Sequence, residues 1–428
     1  MTKAMAMFGS ILLAGIVATS TARAEEVTLD VLYAFPAFAK FHEPIAQEFM
    51  KRHPDIRIKY RAPAPTYDDG HQTMIREAVT NQLPDVYYSG FHLLSELTHT
   101  LEKRNQIVDL GPLLAADGAD FRKKNYSDKI LALGKVDGKL YGLAFNASSP
   151  IMMYNAELVK KAGGDPDHMP DTWDGVLALA KKIRETGGND VAGLAYNVND
   201  WPDVWLYHAM ILQAGGTVVD GNKVPLGGPD LGVKVLERFR RFVAEDGMPL
   251  INWDQSRQQF IAGRIGIFFD TPARLRQVTD LIGDKFTLRS ATFPIDNKAK
   301  GGLPTGGNAA IITTHDPKKQ KAAWEFIKFE TGPIAQKIVV ETTGYLPTNL
   351  LAPGPEYLGP FYQQNPNFRT VSLQMDRSVP WQGYPGGNSV RIWRAQREII
   401  NSVMRGDVDA KAGYDKLMKE TESLMHGG

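Results

Sequence analysis

Cysteine is absent from the chain of 428 residues, so disulfide bonds, cysteine nucleophiles and thiolate metal sites are excluded. A long hydrophobic run is missing too, because the apolar stretch Ile11 to Val17 falls well short of the roughly 20 residues that cross a bilayer. Neither sign of charge dominates, with 49 lysine and arginine residues against 48 aspartate and glutamate residues. No basic block stands out, so we expect no nucleic-acid partner.

The apolar stretch belongs to a leader. Lys3 precedes it, and Ala22-Arg23-Ala24 follows it directly before Glu25. A charged start, a short apolar core and a small-residue end are typical of a secretory signal. We therefore expect residues 1–24 to be a signal peptide that is cleaved on export to the periplasm. A membrane anchor is the alternative, which the short core and the lack of a cysteine for lipidation disfavour.

Motifs of common enzyme classes are absent as well. The sequence has no G-x-S-x-G elbow, no phosphate-binding lysine loop and no G-x-G-x-x-G after a strand. His42 and Glu43 begin like a zinc-protease helix, but Ala46 stands where the second histidine would have to be. We therefore predict a protein that is not an enzyme and uses no cofactor or metal. A secreted carbohydrate-active enzyme is the alternative from another class, and it would need paired carboxylates across a cleft.

Strand and helix patterns alternate along the chain. Alternating apolar residues predict a strand over 27–33, and apolar residues at helical spacing predict a helix over 38–49. The alternation continues to two C-terminal helices, predicted over 390–404 and 412–425. This order favours an α/β fold, and the length favours more than one core.

The segment from Leu140 to Gly164 has an unusual composition, LYGLAFNASSPIMMYNAELVKKAGG. A strand is expected to end at Phe145, and a second apolar run follows the polar cluster 146–150. Asn155 then suits the N-cap of a helix over 156–162. Two apolar runs separated by small hydroxyl residues indicate a chain that passes from one packed body to another. Such a crossing would form a hinge beside a ligand cleft.

This segment resembles the hinge of the family 1 extracellular solute-binding proteins, together with KKAGGDP, Thr172-Trp173 and TGYLPTN further along. Those proteins are the capture subunits of bacterial ABC importers for sugars and glycerol-phosphate compounds. The resemblance implies the two-lobed type II periplasmic-binding-protein fold, with discontinuous lobes joined by a hinge. It places residues 25–147 and about 303–350 in the N-terminal lobe, and residues 148–302 and about 351–428 in the C-terminal lobe. Delivery of a small solute to membrane permease subunits, by a monomer, is the expected function.

Candidate ligand contacts come from the residues and from the resemblance. A sugar or polyol shows apolar C–H faces and a rim of hydroxyls, so it suits flat aromatic rings and short polar groups. Trp201 is a candidate ring, whereas Trp205 in the same aromatic-rich stretch is expected in the core. The resemblance to glycerol-phosphate-binding members places further contacts at Tyr67, Ser148, Trp173, Thr271 in place of a serine, Gly306 or Gly307, and Tyr345. Core packing of Trp173 and a simple turn at the two glycines are open alternatives.

Two positions depart from those glycerol-phosphate-binding members. Their phosphate-binding arginine falls at Pro385, and their acidic ligand for hydroxyl groups falls near Gly90 and Phe91. Arg391 is a candidate substitute, with a solvated helix face as the alternative. We therefore expect a carbohydrate, a polyol or a similar neutral solute. Glycerol 3-phosphate, a glycerophosphodiester or another anionic sugar derivative is the alternative.

Overall fold

The computed structural model describes residues 26–201 and 203–427, so the predicted leader lies outside the described residues. The strands are β1 (Val27–Leu32), β2 (Ile56–Tyr60), β3 (Val86–Gly90), β4 (Lys135–Val136), β5 (Lys139–Leu140), β6 (Gly142–Ser148), β7 (Ile151–Asn155), β8 (Ala192–Tyr196), β9 (Ile265–Asp270), β10 (Leu288–Ala291), β11 (Leu303–Ile312) and β12 (Ser378–Pro380).

The α-helices are α1 (Ala39–Arg52), α2 (Tyr67–Thr80), α3 (Phe91–Glu102), α4 (Gly111–Ala116), α5 (Ala119–Asn125), α6 (Asp128–Ala132), α7 (Ala156–Lys161), α8 (Trp173–Gly187), α9 (Trp205–Gln213), α10 (Gly228–Ala244), α11 (Trp253–Ile261), α12 (Leu275–Ile282), α13 (Pro317–Glu330), α14 (Pro333–Thr342), α15 (Gly359–Gln364), α16 (Ser389–Arg405) and α17 (Ala410–Met425). Short 3₁₀ segments cover Pro36–Phe38, Pro272–Arg274 and Pro366–Arg377.

The first sheet has the strand order β12-β11-β3-β1-β2, and β6 also pairs with β11. β1 runs parallel to β2 and β3, whereas β11 runs antiparallel to β3 and β6. β3, β6 and β11 are buried along their whole lengths because helices cover the sheet, with α1, α2, α3 and α13 in contact with its strands.

The second sheet has the strand order β10-β7-β9-β8. β7 is antiparallel to β9 and β10, and β8 is parallel to β9. α8 packs on β8 and β9, while α10, α16 and α17 pack on one another beside it. Two sheets with their own helices confirm the α/β class and the two lobes that the sequence predicts.

The chain crosses between the sheets where β6 runs into β7. The predicted end of this strand is wrong, because β6 continues to Ser148 instead of ending at Phe145. The segment Asn146 to Pro150 is buried rather than exposed. Gln374 holds it, donating to the Ser149 hydroxyl and to the Pro150 carbonyl oxygen. The crossing is therefore a packed strand connection.

β11 provides a second link between the lobes. Its N-terminal end pairs with β12, and its middle pairs with β6, with Gly306 opposite Ser148 and Gly307 opposite Ala147. Gly306 and Gly307 therefore lie in a strand and not in the simple turn that the sequence left open. The exact lobe boundaries stay a prediction. β12 lies in the segment after residue 351, which is predicted for the C-terminal lobe, but it pairs in the first sheet.

None of the helices that the structure describes is both long and apolar enough to cross a membrane.

Candidate ligand-binding cleft

A small cavity of about 60 Å³ lies between the two sheets, beside the crossing strands. Seven of the ten candidate site residues line it: Tyr67, Ser148, Trp201, Thr271, Gly306, Gly307 and Tyr345. These residues come from six separate parts of the chain that only the fold brings together. Liquid water occupies about 30 Å³ per molecule, so a sugar-sized solute needs the lobes to part and close again around it.

Four of the seven tryptophans of the chain form one side of the cavity. The ring centroid of Trp201 lies 4.6 Å from that of Trp253 and 5.7 Å from that of Trp205. Trp205 in turn lies 6.3 Å from Trp381. Each indole is anchored, since Trp205 donates to the Pro304 carbonyl oxygen (2.9 Å) and Trp253 donates to an Asp270 oxygen (3.0 Å). The four rings form a preorganised apolar wall for stacking.

Tyrosines form the opposite side. Tyr67 opens α2, whose N-cap Thr66 accepts from the Asp69 backbone nitrogen. The Tyr67 hydroxyl accepts a hydrogen bond from the Asn308 amide (3.1 Å), and Tyr345 hydrogen-bonds to the same oxygen. Burial raises the pKa of Tyr67, so the phenol stays neutral and presents a hydroxyl group to a solute.

Gly306 keeps the cavity open. A Cβ atom at this position would lie 2.9 Å from the Trp205 ring and 3.0 Å from the Ser148 hydroxyl oxygen. The backbone φ at Gly307 is 118°, a conformation that glycine adopts without strain. Only glycine at 306 lets the Ser148 hydroxyl and an indole face the same space.

One arginine enters the cavity. β9 ends at Asp270, and the Thr271 hydroxyl accepts from the Ala273 backbone nitrogen (3.2 Å), which starts a 3₁₀ turn that carries Arg274 inward. The guanidinium carbon of Arg274 lies 5.6 Å from the centroid of the Phe38 ring and 5.5 Å from that of Trp253. The side chain is therefore held between the lobes by aromatic rings.

One carboxyl group also lines the cavity, that of Asp203. It accepts from the backbone nitrogen of Trp205 (2.8 Å) and hydrogen-bonds to Trp201. Burial raises the pKa of Asp203 to about 8, with Asp68 adding to the rise and these hydrogen bonds opposing it. The group is mostly neutral at pH 7 and can both donate to and accept from a solute hydroxyl.

The other three candidates lie away from the cavity. Trp173 is fully buried in the second lobe, 4.8 Å from the Phe269 ring, because the first turn of α8 faces the core. Gly90 supports the Tyr67 ring from behind, since a Cβ atom there would lie 3.1 Å from it. Arg391 is exposed on α16.

Residues 35–337 match the family of bacterial extracellular solute-binding proteins, which is well over half of the chain. The chain belongs to this family. The resemblance drawn from the sequence is therefore confirmed.

Relatives of this solute-binding protein include the sn-glycerol-3-phosphate-binding periplasmic protein UgpB of Rhizobium meliloti. It is 26% identical over 333 residues, covering 74% of this chain and 76% of the relative. UgpB of Brucella abortus is 27% identical over 333 residues, covering 74% of this chain and 75% of the relative.

Solved structures share the fold. The crystal structure of UgpB from Mycobacterium tuberculosis in complex with glycerophosphocholine has a TM-score of 0.80 at 19% identity, covering 94% of this chain and 98% of that one. An ABC substrate-binding protein of Listeria monocytogenes in complex with cycloalternan has a TM-score of 0.78 at 19% identity, covering 94% and 99%.

Sequence reasoning did not identify about half of the residues that line the cavity of this solute-binding protein. Trp205 is buried in the core, as expected, and also lines the cavity. Seven further lining residues were not singled out as contacts: Phe35, Phe38, Asp203, Trp253, Ala273, Arg274 and Trp381. A local signal existed for Trp205 and Asp203, which share an aromatic and acidic stretch with Trp201. No local signal marked Arg274 or Trp381, because their neighbours in the cavity are distant in sequence.

A larger groove of about 840 Å³ lies outside the cavity, between α3 and the segment Pro380–Gly387. We call it the outer groove. Its charged groups include His99 and Asp137, which pair with each other at 2.7 Å. Size alone would favour it as a solute site. The smaller cavity is the better candidate, because four tryptophan rings and the polar groups of Tyr67, Ser148 and Arg274 converge on it.

The buried carboxyl groups make the stability of this protein depend on pH. Burial raises the pKa of Asp203 to about 8 and that of Asp246 to about 7, whereas an unfolded aspartate titrates near 3.9. Between pH 6.5 and pH 8 the native state therefore holds protons that the unfolded chain has lost. We expect the free energy of unfolding to fall across this window, by on the order of 1 kcal/mol per pH unit.

Urea denaturation at several pH values measures this dependence. Asp203→Asn should flatten the fall, while the exposed control Asp284→Asn should leave it unchanged. The buried His42, His92 and His208, whose pKa values burial lowers, act in the opposite direction, and this effect fades above about pH 7, where few unfolded imidazoles are protonated. Equal pH slopes for the wild type and Asp203→Asn would refute the assignment.

Proposed function

We propose that this protein captures a hydroxyl-rich solute, a carbohydrate or polyol or a derivative of one, and delivers it to the permease subunits of an ABC importer. The observation that carries the proposal is the cavity lined by aromatic rings between the two lobes. Indole faces suit the apolar C–H surfaces of such a solute, and Ser148, Tyr67 and Asp203 offer hydrogen bonds to its hydroxyl groups.

The relatives support this class of solute. The bacterial relatives are named for sn-glycerol 3-phosphate, and the structural neighbours hold glycerophosphocholine or cycloalternan. All three compounds carry several hydroxyl groups or a glycerol unit. The class of solute is therefore the common element, while its identity and charge depend on the residues of this chain.

Binding without catalysis is the second part of the proposal. Among the described residues that line the cavity, Asp203 is the sole carboxylic acid, whereas glycoside hydrolysis needs two carboxyl groups on either side of the bond. We further propose that the protein acts as a monomer in the periplasm after loss of residues 1–24. The intact mass of the exported protein tests that cleavage.

Closure of the lobes links capture to delivery. The cavity is lined by Ser148, Gly306 and Gly307 of the first sheet and by Thr271, which directly follows β9 of the second sheet, so a bound solute and lobe closure depend on each other. A permease that contacts both lobes would then distinguish the loaded protein from the empty one. This coupling requires no chemistry beyond binding.

A thermal-shift screen against sugars, polyols and glycerol-phosphate compounds tests the proposal. At a solute concentration about 100 times Kd, binding stabilises the native state by about 2.7 kcal/mol, which raises the unfolding temperature of a chain of this size by about 3 °C. Small-angle scattering should then show a smaller radius of gyration with the stabilising solute present. A panel without any stabilising member, or a radius that stays unchanged at saturation, would contradict capture by closure.

A further inference from the structure

We propose that the solute carries a negatively charged oxyanion, a phosphate or a sulfonate, and that the Arg274 guanidinium binds it. This inference rests on the proposed function, because it assigns the charge of the solute in the same cavity. The proposed charge replaces the expectation of a neutral solute. That expectation rested on Pro385, which stands where the glycerol-phosphate-binding members have an arginine.

Arg274 has no partner for its charge among the described residues. Its side chain makes no ion pair or hydrogen bond with them, and its Nε atom is buried without an acceptor. A guanidinium group in a low-dielectric site is costly unless an anion or an acceptor compensates it. Phosphate and sulfonate oxygens match the fork of N–H donors that a guanidinium presents.

The nearest acidic groups do not supply that partner. One oxygen of Asp270 accepts from the Trp253 indole (3.0 Å) and the Thr271 backbone nitrogen (2.7 Å). Its other oxygen is buried without a hydrogen-bond partner, and Asp270 makes no ion pair with Arg274. Among the described residues that line the cavity Asp203 is the one acid, and its pKa is raised to about 8, so it is mostly neutral at pH 7. The described groups that line the cavity therefore carry a net positive charge near neutral pH.

The route to Arg274 is positive as well. Arg274 also lines an external groove of about 520 Å³ together with Lys40 and Arg276, so its side chain stands between solvent and the cavity. Burial, together with the charges of Arg274 and Arg276, lowers the pKa of Lys40 to about 8, with Asp280 opposing the shift. Asp280 and Glu341 lie in the same groove, but Asp280 pairs with Arg276 at 3.5 Å. Clustered cations at a mouth attract anions toward the site.

Arg391, the arginine suggested by the sequence, lacks these features. It is exposed on α16 and does not line the cavity, and Pro385 faces the outer groove instead. Arg391→Gln is therefore a charge-matched control, since it removes one positive charge outside the cavity.

The test compares Arg274→Gln, Arg274→Lys, Arg391→Gln and wild type by calorimetry. The probes are matched pairs: sn-glycerol 3-phosphate with glycerol, and 6-sulfonated glucose with glucose, with glycerophosphocholine as a diester. We expect wild type to bind a charged probe at least about tenfold more tightly than its neutral counterpart. Arg274→Gln should lose at least about tenfold of that affinity, Arg274→Lys should lose less, and Arg391→Gln should match wild type. Affinity should also fall between about 50 mM and about 300 mM salt.

Each outcome decides the inference. Equal binding of charged and neutral probes, or an unchanged affinity in Arg274→Gln, overturns it. A neutral solute that binds in a Trp201-dependent way would overturn the inference but leave the proposed function intact. If no organic probe binds, inorganic phosphate decides, because stabilisation that disappears in Arg274→Gln supports the oxyanion site and no stabilisation overturns it.

Discussion

Trp201→Ala is expected to weaken solute binding roughly thirtyfold or more, which corresponds to about 2 kcal/mol or more. Trp201 is 5% exposed and packs between Trp205 and Trp253, and Arg397 donates to its backbone oxygen at 3.1 Å. Its loss removes a stacking face and loosens the wall formed by the other indoles. Calorimetry with the stabilising solute measures the change, and Trp201→Phe should show an intermediate loss.

Trp324→Ala is the matched control for this experiment. Trp324 is 4% exposed in the other lobe, where its indole donates to Asp117 at 2.8 Å. Both substitutions remove a buried indole and should lower the free energy of unfolding, but Trp324→Ala should leave the affinity unchanged. Equal losses of affinity in the two variants would show that Trp201 acts through stability and not through contact with the solute.

Gly383→Ala is expected to prevent complete closure of the lobes. A Cβ atom at Gly383 would lie 2.0 Å from the backbone oxygen of His92. The backbone of α3, which packs on the first sheet, therefore meets the segment that leads into α16, which packs on α10 and α17. Next to this contact the His92 ring stacks on Trp381 at 3.8 Å, and the Trp393 indole donates to Asp68 at 3.1 Å. The added methyl group forces these surfaces apart, so we expect an affinity loss of roughly 10- to 100-fold.

Scattering and a second glycine check that this loss comes from closure. Gly383→Ala should keep a larger radius of gyration than wild type when solute is present, with each lobe still folded. Gly387→Ala places its methyl group in open space in the same segment, although its φ of 77° adds local strain. If Gly383→Ala closes and binds like wild type, the contact between His92 and Gly383 does not control closure.

Local features of the fold could be predicted from the sequence. Asn155 caps α7 by accepting from two backbone nitrogens, and Thr172 caps α8, as their positions before apolar periodic stretches indicate. The start of α2 is likewise marked in the sequence, by the cap Thr66 and the acidic pair Asp68 and Asp69. Helix ends depend on neighbours within a few residues, so such signals are available in the sequence.

Features that depend on distant partners could not be predicted. Gly306 and Gly307 read as a turn, but β6, more than 150 residues earlier in the chain, pairs with them and extends them into a strand. Trp173 follows a helix cap, a position that would also suit a ring in contact with a ligand. Only the position of the second sheet places this ring in the core. Arg274 became a candidate only when the fold placed it between Phe38 and Trp253.

The crystal structure of the protein with the solute that raises its unfolding temperature most tests the central claim directly. The account predicts that the solute lies between the lobes, with an apolar face on Trp201 and Trp205, a hydroxyl group at Ser148 and an oxyanion at Arg274. A solute in the outer groove beside His99 and Gly383, with no contact to Trp201, Trp205 or Trp253, would contradict it.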